Sequence, residues 1–175
     1  AVAVEDATTA ARPSDTPSPT STPGPTDTPP PPTDTPEPDG RSREAPAMPG
    51  SVVSVEEIEL SVDHVFFPTD ADLRQADRFN PTAEDGKRLL MVYVGFTCDK
   101  SGTETCRAER GDFEAYGSAG EVYQPIYNVD GFPDELDDLE FFGGATAVKW
   151  VAFQVGADET DFVLAYEPFL SLDQA

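Results

Sequence analysis

The sequence lacks any long hydrophobic run. No stretch of about eighteen consecutive apolar residues occurs in the 175-residue chain, so we expect no segment of it to span a membrane as a helix. Residues 1–11 are too short and, with Glu5 and Asp6, too acidic to be a signal peptide. If the protein is exported, its leader is therefore expected to be absent from this chain.

Basic residues are scarce. Eleven Lys and Arg stand against 34 Asp and Glu, which gives a formal net charge of -23. The excess of acid holds within residues 51–175 as well, with eight basic and twenty-six acidic side chains. Such a surface repels phosphate backbones and anionic lipids, so nucleic acid is not an expected partner. Cations, basic proteins or high salt suit this charge, and solubility alone also accounts for it.

Histidine is almost missing. The single one, His64, continues the apolar alternation of Ile58, Leu60 and Val62, which predicts a histidine at the core or its rim. Nucleophilic catalysis needs a base held beside an activated Ser or Cys, and nothing in the sequence marks such a pair. The sequence therefore predicts a non-enzymatic protein.

Only two cysteines occur, Cys98 and Cys106, on either side of a turn-rich segment containing Gly102. A redox CxxC motif would need a spacing of two, and a zinc site would need a second pair. We expect a disulfide across one hairpin loop, with free thiols or metal ligation as the alternatives. A disulfide would indicate an oxidising compartment.

Proline is abundant, but mainly in the first fifty residues. Thirteen of the 18 prolines lie between Pro13 and Pro49, interleaved with Thr, Ser and Asp in runs such as TDTPPPPTDTPEPDG. This composition buries almost nothing and favours polyproline II conformation. Residues 1–50 are predicted to be a disordered Pro/Thr-rich stalk, with or without O-linked sugars, which leaves residues 51–175 for one domain.

Alternating hydrophobicity after Gly50 predicts short strands. The segment Lys87–Thr97 is apolar on both faces, as expected for a central strand, and Asp70 and Asp72 are expected to cap a short helix near residues 71–78. The other predicted strands are 58–63, 112–116, 121–127, 145–155 and 161–166, of which 112–116 and 121–127 form a hairpin. This spacing predicts an all-β, immunoglobulin-like antiparallel sandwich of about seven strands.

The order of the last segments resembles a known family. The segments are DFEAYGSAGEVYQP, an acidic glycine-containing insert and VKWVAFQVGADETDFVLAYEP. Residues 52–170 resemble the telokin-like, DUF4352 family of secreted and lipoprotein-anchored immunoglobulin-like domains, related to a mycobacterial secreted immunoprotective antigen. The cysteine segment and Gly143–Gly144 depart from the family pattern. The resemblance implies an extracytoplasmic sandwich and supplies no catalytic residues.

The densest acidic group lies in the insert 128–144, between Gly131 and Gly143. Loop carboxylates suit calcium, which accepts six to eight oxygens, although the spacing fits no EF-hand and a solvated charge run is the alternative. The candidate calcium ligands are Asp134, Glu135, Asp137, Asp138 and Glu140. No other cofactor is expected.

Aromatic residues near turns are the candidates for a binding surface. Most aromatics, including Trp150, are expected in the core. The candidates for partner binding are Tyr116, Tyr123, Tyr127 and Phe132, near the hairpin and the acidic insert.

The preferred function is an extracytoplasmic, secreted or cell-surface-anchored module that binds a protein or surface glycan, or has a structural role, at the end of its stalk. Two alternatives stay open. One is a calcium-dependent carbohydrate-binding or enzymatic module built on the acidic insert, and the other is an accessory subunit of an extracellular or membrane-bound assembly.

Overall fold

The computed structural model describes residues 39–168, so most of the predicted stalk lies outside the described residues. Within this range the chain forms one α-helix, α1 (Asp70–Ala76), a 3-10 turn at Arg110–Asp112 and nine strands. The strands are β1 (Val52–Val55), β2 (Ile58–Phe66), β3 (Lys87–Cys98), β4 (Thr105–Glu109), β5 (Phe113–Tyr116), β6 (Val122–Tyr123), β7 (Asp138–Phe142), β8 (Thr146–Gly156) and β9 (Val163–Tyr166). None of the helices in this part of the chain has the length and hydropathy needed to cross a bilayer.

The strands form an antiparallel β-sandwich, as predicted. One layer is a four-stranded sheet in the order β1-β2-β3-β8, and the other contains the pair β4-β7 and the three-stranded sheet β6-β5-β9. The predicted hairpin is present as β5 and β6, with Tyr116 opposite Val122. The described residues hold more strands than the seven or so predicted, because β1, β4 and β7 lie in segments expected to be connections.

The main core lies between the two layers. Phe96 of β3 contacts the rings of Phe113 and Phe141 edge-on, with centroids 6.2 and 6.4 Å away. Val94 and Phe153 add to the same cluster from the four-stranded sheet. These side chains are almost wholly buried, and each contributes about 2 kcal/mol of hydrophobic stabilisation.

A second core covers part of the outer face of the four-stranded sheet. Met91 of β3 and Trp150 of β8 pack there against Leu73 of α1 and Val129. The Trp150 indole Nε1 donates a hydrogen bond to the Pro133 carbonyl at 2.8 Å. The strand β3 is therefore buried on both faces in this half, which confirms its predicted central position.

The helix α1 begins with a capping box. The Thr69 hydroxyl accepts from the Asp72 amide, and the Asp72 carboxylate accepts from the Thr69 amide at 2.8 Å. The Thr69 hydroxyl also donates to the Asp72 carboxylate at 2.6 Å, and this bond, together with the one from the Thr69 amide, lowers the pKa of Asp72. The predicted capping role of Asp72 is confirmed, and the box sets the direction in which α1 presents Leu73 to the sheet.

A β-bulge in β2 corrects the prediction for His64. Up to the bulge, Ile58, Leu60 and Val62 face the main core, but the register against β3 shifts between Val62 and His64. Because Asp63 is the extra residue, the alternation is inverted beyond it. His64 therefore lies on the outer face, exposed beside Tyr93 with the ring centroids 6.0 Å apart.

The predicted disulfide is present between Cys98 and Cys106, whose Cα atoms are 5.7 Å apart. The disulfide was expected to cross one hairpin loop, but β3 and β4 do not pair as a hairpin. Cys98 ends β3, whose two edges are already paired with β2 and β8, so β4 pairs with β7 in the other layer. The disulfide consequently joins the two layers of the sandwich.

The described part of the predicted stalk, residues 39–50, contacts the domain. Ala45 is buried, and its carbonyl accepts a hydrogen bond from Gly40 at 2.9 Å. The Arg43 guanidinium lies 4.8 Å from the centre of the Tyr116 ring. The position of the stalk boundary at residue 50 stays a prediction.

Replacing both cysteines, Cys98→Ala with Cys106→Ala, is expected to lower the free energy of unfolding by about 2.5 kcal/mol, because the disulfide closes a short loop and restricts the unfolded chain. Urea denaturation followed by tryptophan fluorescence measures this change. Reduction of the unmodified protein serves as the control and should destabilise it in the same direction. An unchanged unfolding midpoint would show that the covalent link between the layers is energetically unimportant.

Candidate functional site

The candidate calcium ligands are divided among three basic side chains. Asp138 forms two hydrogen bonds of 2.9 Å with Arg107 on the exposed face of β4 and β7, and Glu140 lies directly opposite Arg107 in the strand register. The hydrogen bonds to Asp138 raise the pKa of Arg107. Asp134 lies 3.5 Å from the Lys149 ammonium.

The remaining two candidate ligands, Glu135 and Asp137, form ion pairs with a buried arginine that was not recognised from the sequence. Arg110 is 5% exposed, and its Nη2 lies 2.7 Å from Glu135 and 3.4 Å from Asp137. Its Nε donates to the Leu136 carbonyl at 2.8 Å, and the Tyr127 ring covers the guanidinium at 4.5 Å. Arg110 thus anchors the acidic insert to the layer that contains β4 and β5.

The five carboxylates are therefore not gathered around one point. Among residues 39–168 no group of three or more His, Cys, Asp or Glu side chains is arranged to hold a metal ion. Asp138 and Glu140 lie on a strand, whereas the calcium hypothesis expected a loop. Calcium binding stays a prediction, with a basic side chain near each proposed ligand.

The four candidate aromatics have different environments. Tyr123 is buried in the main core, and Phe132 packs edge-on against Trp150. The Tyr116 hydroxyl donates to Glu114 at 2.7 Å, which raises the pKa of Tyr116 and lowers that of Glu114. Only Tyr127 among the four is widely exposed, at 65%, and it covers Arg110. They do not form one exposed aromatic patch.

A different surface has the form of a binding site. The second core covers one half of the outer face of the four-stranded sheet, and the other half contains a cavity of about 190 Å³. We call this half the Gly95 depression. Its central row crosses all four strands and consists of Val52, Ser61, Gly95 and Val148.

The depression depends on Gly95 and on the bulge in β2. A Cβ atom at Gly95 would lie 2.6 Å from the Ser61 hydroxyl and 3.1 Å from both Asp63 carboxylate oxygens. The absence of a side chain at Gly95 therefore makes room for both groups. Asp63 faces this side by the ordinary alternation of β2, and the bulge leaves it without a partner on β3. The Ser61 hydroxyl donates to Asp63 at 2.7 Å and orients the carboxylate.

The chemistry of the depression is acidic, hydroxyl-rich and apolar at its edges. Glu59, Thr97 and Thr146 form the neighbouring row of the sheet and line the same cavity. At the two ends of the central row, Val52 is 61% and Val148 is 48% exposed. Neither Glu59 nor Asp63 forms an ion pair with a basic side chain of residues 39–168.

One sequence signal could have indicated this site. A glycine inside a strand that is otherwise apolar weakens the strand and often marks a bulge or a close approach of another group. Gly95 is such a residue, in the middle of β3. Its meeting with Asp63, however, depends on the register between β2 and β3, which the sequence does not show.

A second groove, of about 330 Å³, lies at one end of the sandwich. It is lined by Val65, Phe67, Arg88 and Phe162, among others. The Arg88 guanidinium lies 4.1 Å from the centre of the Phe67 ring and donates to the Glu159 carbonyl at 2.7 Å. The basic group of this groove thus already contacts other groups of the protein.

Comparisons at the level of sequence found no relative. No family model matches the sequence, and no curated protein matches it. The telokin-like resemblance therefore stays a prediction at the level of the family.

Two structures from Bacillus subtilis are similar. One is ycdA, provisionally named a lipoprotein, with 14% identity and a TM-score of 0.51 over 66% of this chain and 32% of that one. This chain therefore matches about a third of the length of ycdA. The other is the yjhA protein, with 11% identity and a TM-score of 0.50 over 70% and 81% of the two chains.

A secreted Mycobacterium tuberculosis protein, MPT63, has 13% identity and a TM-score of 0.48 over 70% of this chain and 88% of that one. The Bacillus subtilis structures, at their low identity, show the β-sandwich fold alone.

The substitution Arg110→Met is expected to destabilise the protein by about 2 to 3 kcal/mol. It removes the buried cation and leaves Glu135 and the carbonyls of Leu136 and Ile126 without their partner. The matched control is Arg107→Met, whose exposed ion pairs are screened by water and should leave stability nearly unchanged. Urea denaturation of both variants measures the difference. Equal effects would contradict the anchoring role of Arg110.

Millimolar calcium is expected to leave the thermal unfolding midpoint unchanged relative to a chelator at the same ionic strength, because each proposed ligand already lies near an arginine or lysine. Differential scanning fluorimetry measures the midpoint, with magnesium as the control for general screening. A calcium-specific rise of several degrees would indicate binding to the native state and would favour the calcium-dependent module.

Proposed function

We propose that this protein is a non-enzymatic, extracytoplasmic binding module that contacts a protein or surface glycan through the Gly95 depression. The predicted stalk, residues 1–50, would hold the domain away from its point of attachment.

The observation that supports a binding role is the unequal covering of one sheet. One half of the outer face of β1-β2-β3-β8 is covered by α1 and the insert, while the other half leaves Val52 and Val148 exposed beside a concave surface. Exposed apolar side chains flanking a concavity with polar groups are typical of binding sites. The glycine and the bulge that form the concavity both weaken regular strand pairing, and proteins tolerate such features at functional positions.

The chemistry favours binding over catalysis. The depression is open to solvent, whereas catalytic sites usually exclude water so that charges act strongly on the reacting atoms. Its hydroxyls and carboxylates are suited to hydrogen bonds and charge pairing. Neither of the two similar Bacillus subtilis structures is named as an enzyme.

An extracytoplasmic location is supported by the disulfide between Cys98 and Cys106, because disulfides persist in oxidising compartments. The Pro/Thr-rich composition of residues 1–50 is typical of surface stalks. The provisional naming of ycdA as a lipoprotein agrees with a place at the cell surface.

The accessory-subunit alternative uses the same surface but differs in the lifetime of the complex. A subunit would co-purify with its assembly at stoichiometric amounts, whereas a free-standing module would bind reversibly. The calcium-dependent alternative depends on the acidic insert, which lies outside the Gly95 depression.

The proposed surface can be tested with the double substitution Val52→Ser and Val148→Ser. The full chain, immobilised, would be exposed to the protein and polysaccharide fractions of the source organism's cell envelope. If both valines become buried on binding, the lost apolar contact should reduce retention of the partner about tenfold or more. Retention is measured by surface plasmon resonance.

The matched control is Val122→Ser with Phe142→Ser, which removes two equally exposed apolar side chains outside the depression. Its retention should equal that of the unmodified protein. Thermal unfolding confirms that both variants fold. If both variants retain the partner equally well, the Gly95 depression is not the binding surface.

A further inference from the structure

The Gly95 depression is electrostatically incomplete. Asp63 and Glu59 contribute two carboxylates, and no Lys or Arg lines the cavity. Several carboxylates in other parts of the described domain face basic groups, as Asp138 faces Arg107 and Glu135 faces Arg110. A cationic group from a partner would supply the missing charge through charge-assisted hydrogen bonds.

A basic side chain fits this donor set better than a metal ion. Calcium requires six to eight oxygen ligands, and the described residues contain no cluster of three carboxylates with a metal-binding arrangement. Two carboxylates and a neighbouring hydroxyl match the several N–H donors of Arg or Lys.

The spacing of the apolar ends indicates an extended chain. Val52, Ser61, Gly95 and Val148 occupy one row on four adjacent strands, so Val52 and Val148 are three inter-strand spacings apart, about 14 Å. In an extended peptide, side chains i and i+4 lie on the same face about 13 Å apart. Side chain i+2 would then lie over the Gly95 floor, next to Asp63.

From this geometry we propose that the depression binds an extended polypeptide segment with the pattern apolar-x-basic-x-apolar, laid across the four strands. The basic side chain pairs with Asp63 and Glu59, and the two apolar side chains pack on Val52 and Val148. The proposal rests on the binding function above and specifies its partner. The carboxylates disfavour anionic glycans, and a neutral glycan would leave them without a counter-charge.

The probe is the pentapeptide acetyl-Leu-Ser-Arg-Ser-Leu-amide, compared with the same peptide carrying citrulline, a neutral isostere of arginine. Titration of the full ¹⁵N-labelled chain is followed by amide shifts in NMR at fixed ionic strength. We expect shifts at Ser61, Gly95 and Thr97, and about tenfold tighter binding of the arginine peptide, which is the gain from one charge-assisted pair.

The double variant Glu59→Gln with Asp63→Asn completes a mutant cycle. In it, the preference for arginine over citrulline should fall below about twofold, because the peptide's charge then has no partner. The control is Asp85→Asn with Asp130→Asn, which removes two exposed carboxylates outside the depression and should keep the tenfold preference. Loss of the preference in the control as well would assign the effect to overall charge and overturn the proposal.

The remaining outcomes separate this inference from the proposed function. Equal binding of the arginine and citrulline peptides overturns the cationic pattern. So does a polysaccharide partner whose retention is insensitive to Glu59→Gln with Asp63→Asn. In either case, the proposed binding function is still supported if the variant Val52→Ser with Val148→Ser retains less of the partner than the unmodified protein does. Both proposals fail if neither peptide changes the amide shifts of residues in the depression and the variant Val52→Ser with Val148→Ser retains the partner fully.

Discussion

The strand β3 is the constraint on which the rest of the structure depends. Both of its edges are paired, with β2 and β8, and its side chains supply both hydrophobic cores, Phe96 on one face and Met91 on the other. The chain that follows Cys98 finds no free edge beside β3, so it crosses to the other layer. The disulfide to Cys106 joins the two layers for that reason.

The same strand also creates the Gly95 depression, the proposed binding surface. The helix α1 and the acidic insert cover the outer face only where β3 carries large side chains. At Gly95 there is no side chain to cover, and the Asp63 carboxylate at the bulge in β2 fills part of the space. A central strand with an internal glycine is less stable than a regular one, and here the cost coincides with an exposed, charged concavity.

Prediction from the sequence succeeded where patterning is strong. The segment apolar on both faces became β3, and the capped helix formed near its predicted position. It failed for β1, β4 and β7, which are short and present charged or exposed residues on one face. In β7 these are Asp138 and Glu140, and this half-polar pattern was mistaken for a loop that could bind calcium. His64 was misplaced because one extra residue inverts the alternation of a strand.

The amino-acid sequence by itself determined the all-β class and the strong excess of acid, because these follow from local periodicity and composition. Only the tertiary structure decided which groups meet. Arg110 pairs with Glu135, which follows it after a long connection. Gly95 lies beside Asp63 because of the register between β2 and β3. A shift of one residue in that register would move Asp63 to the opposite face, so strand pairing, a long-range property of the chain, decides whether the Gly95 depression exists.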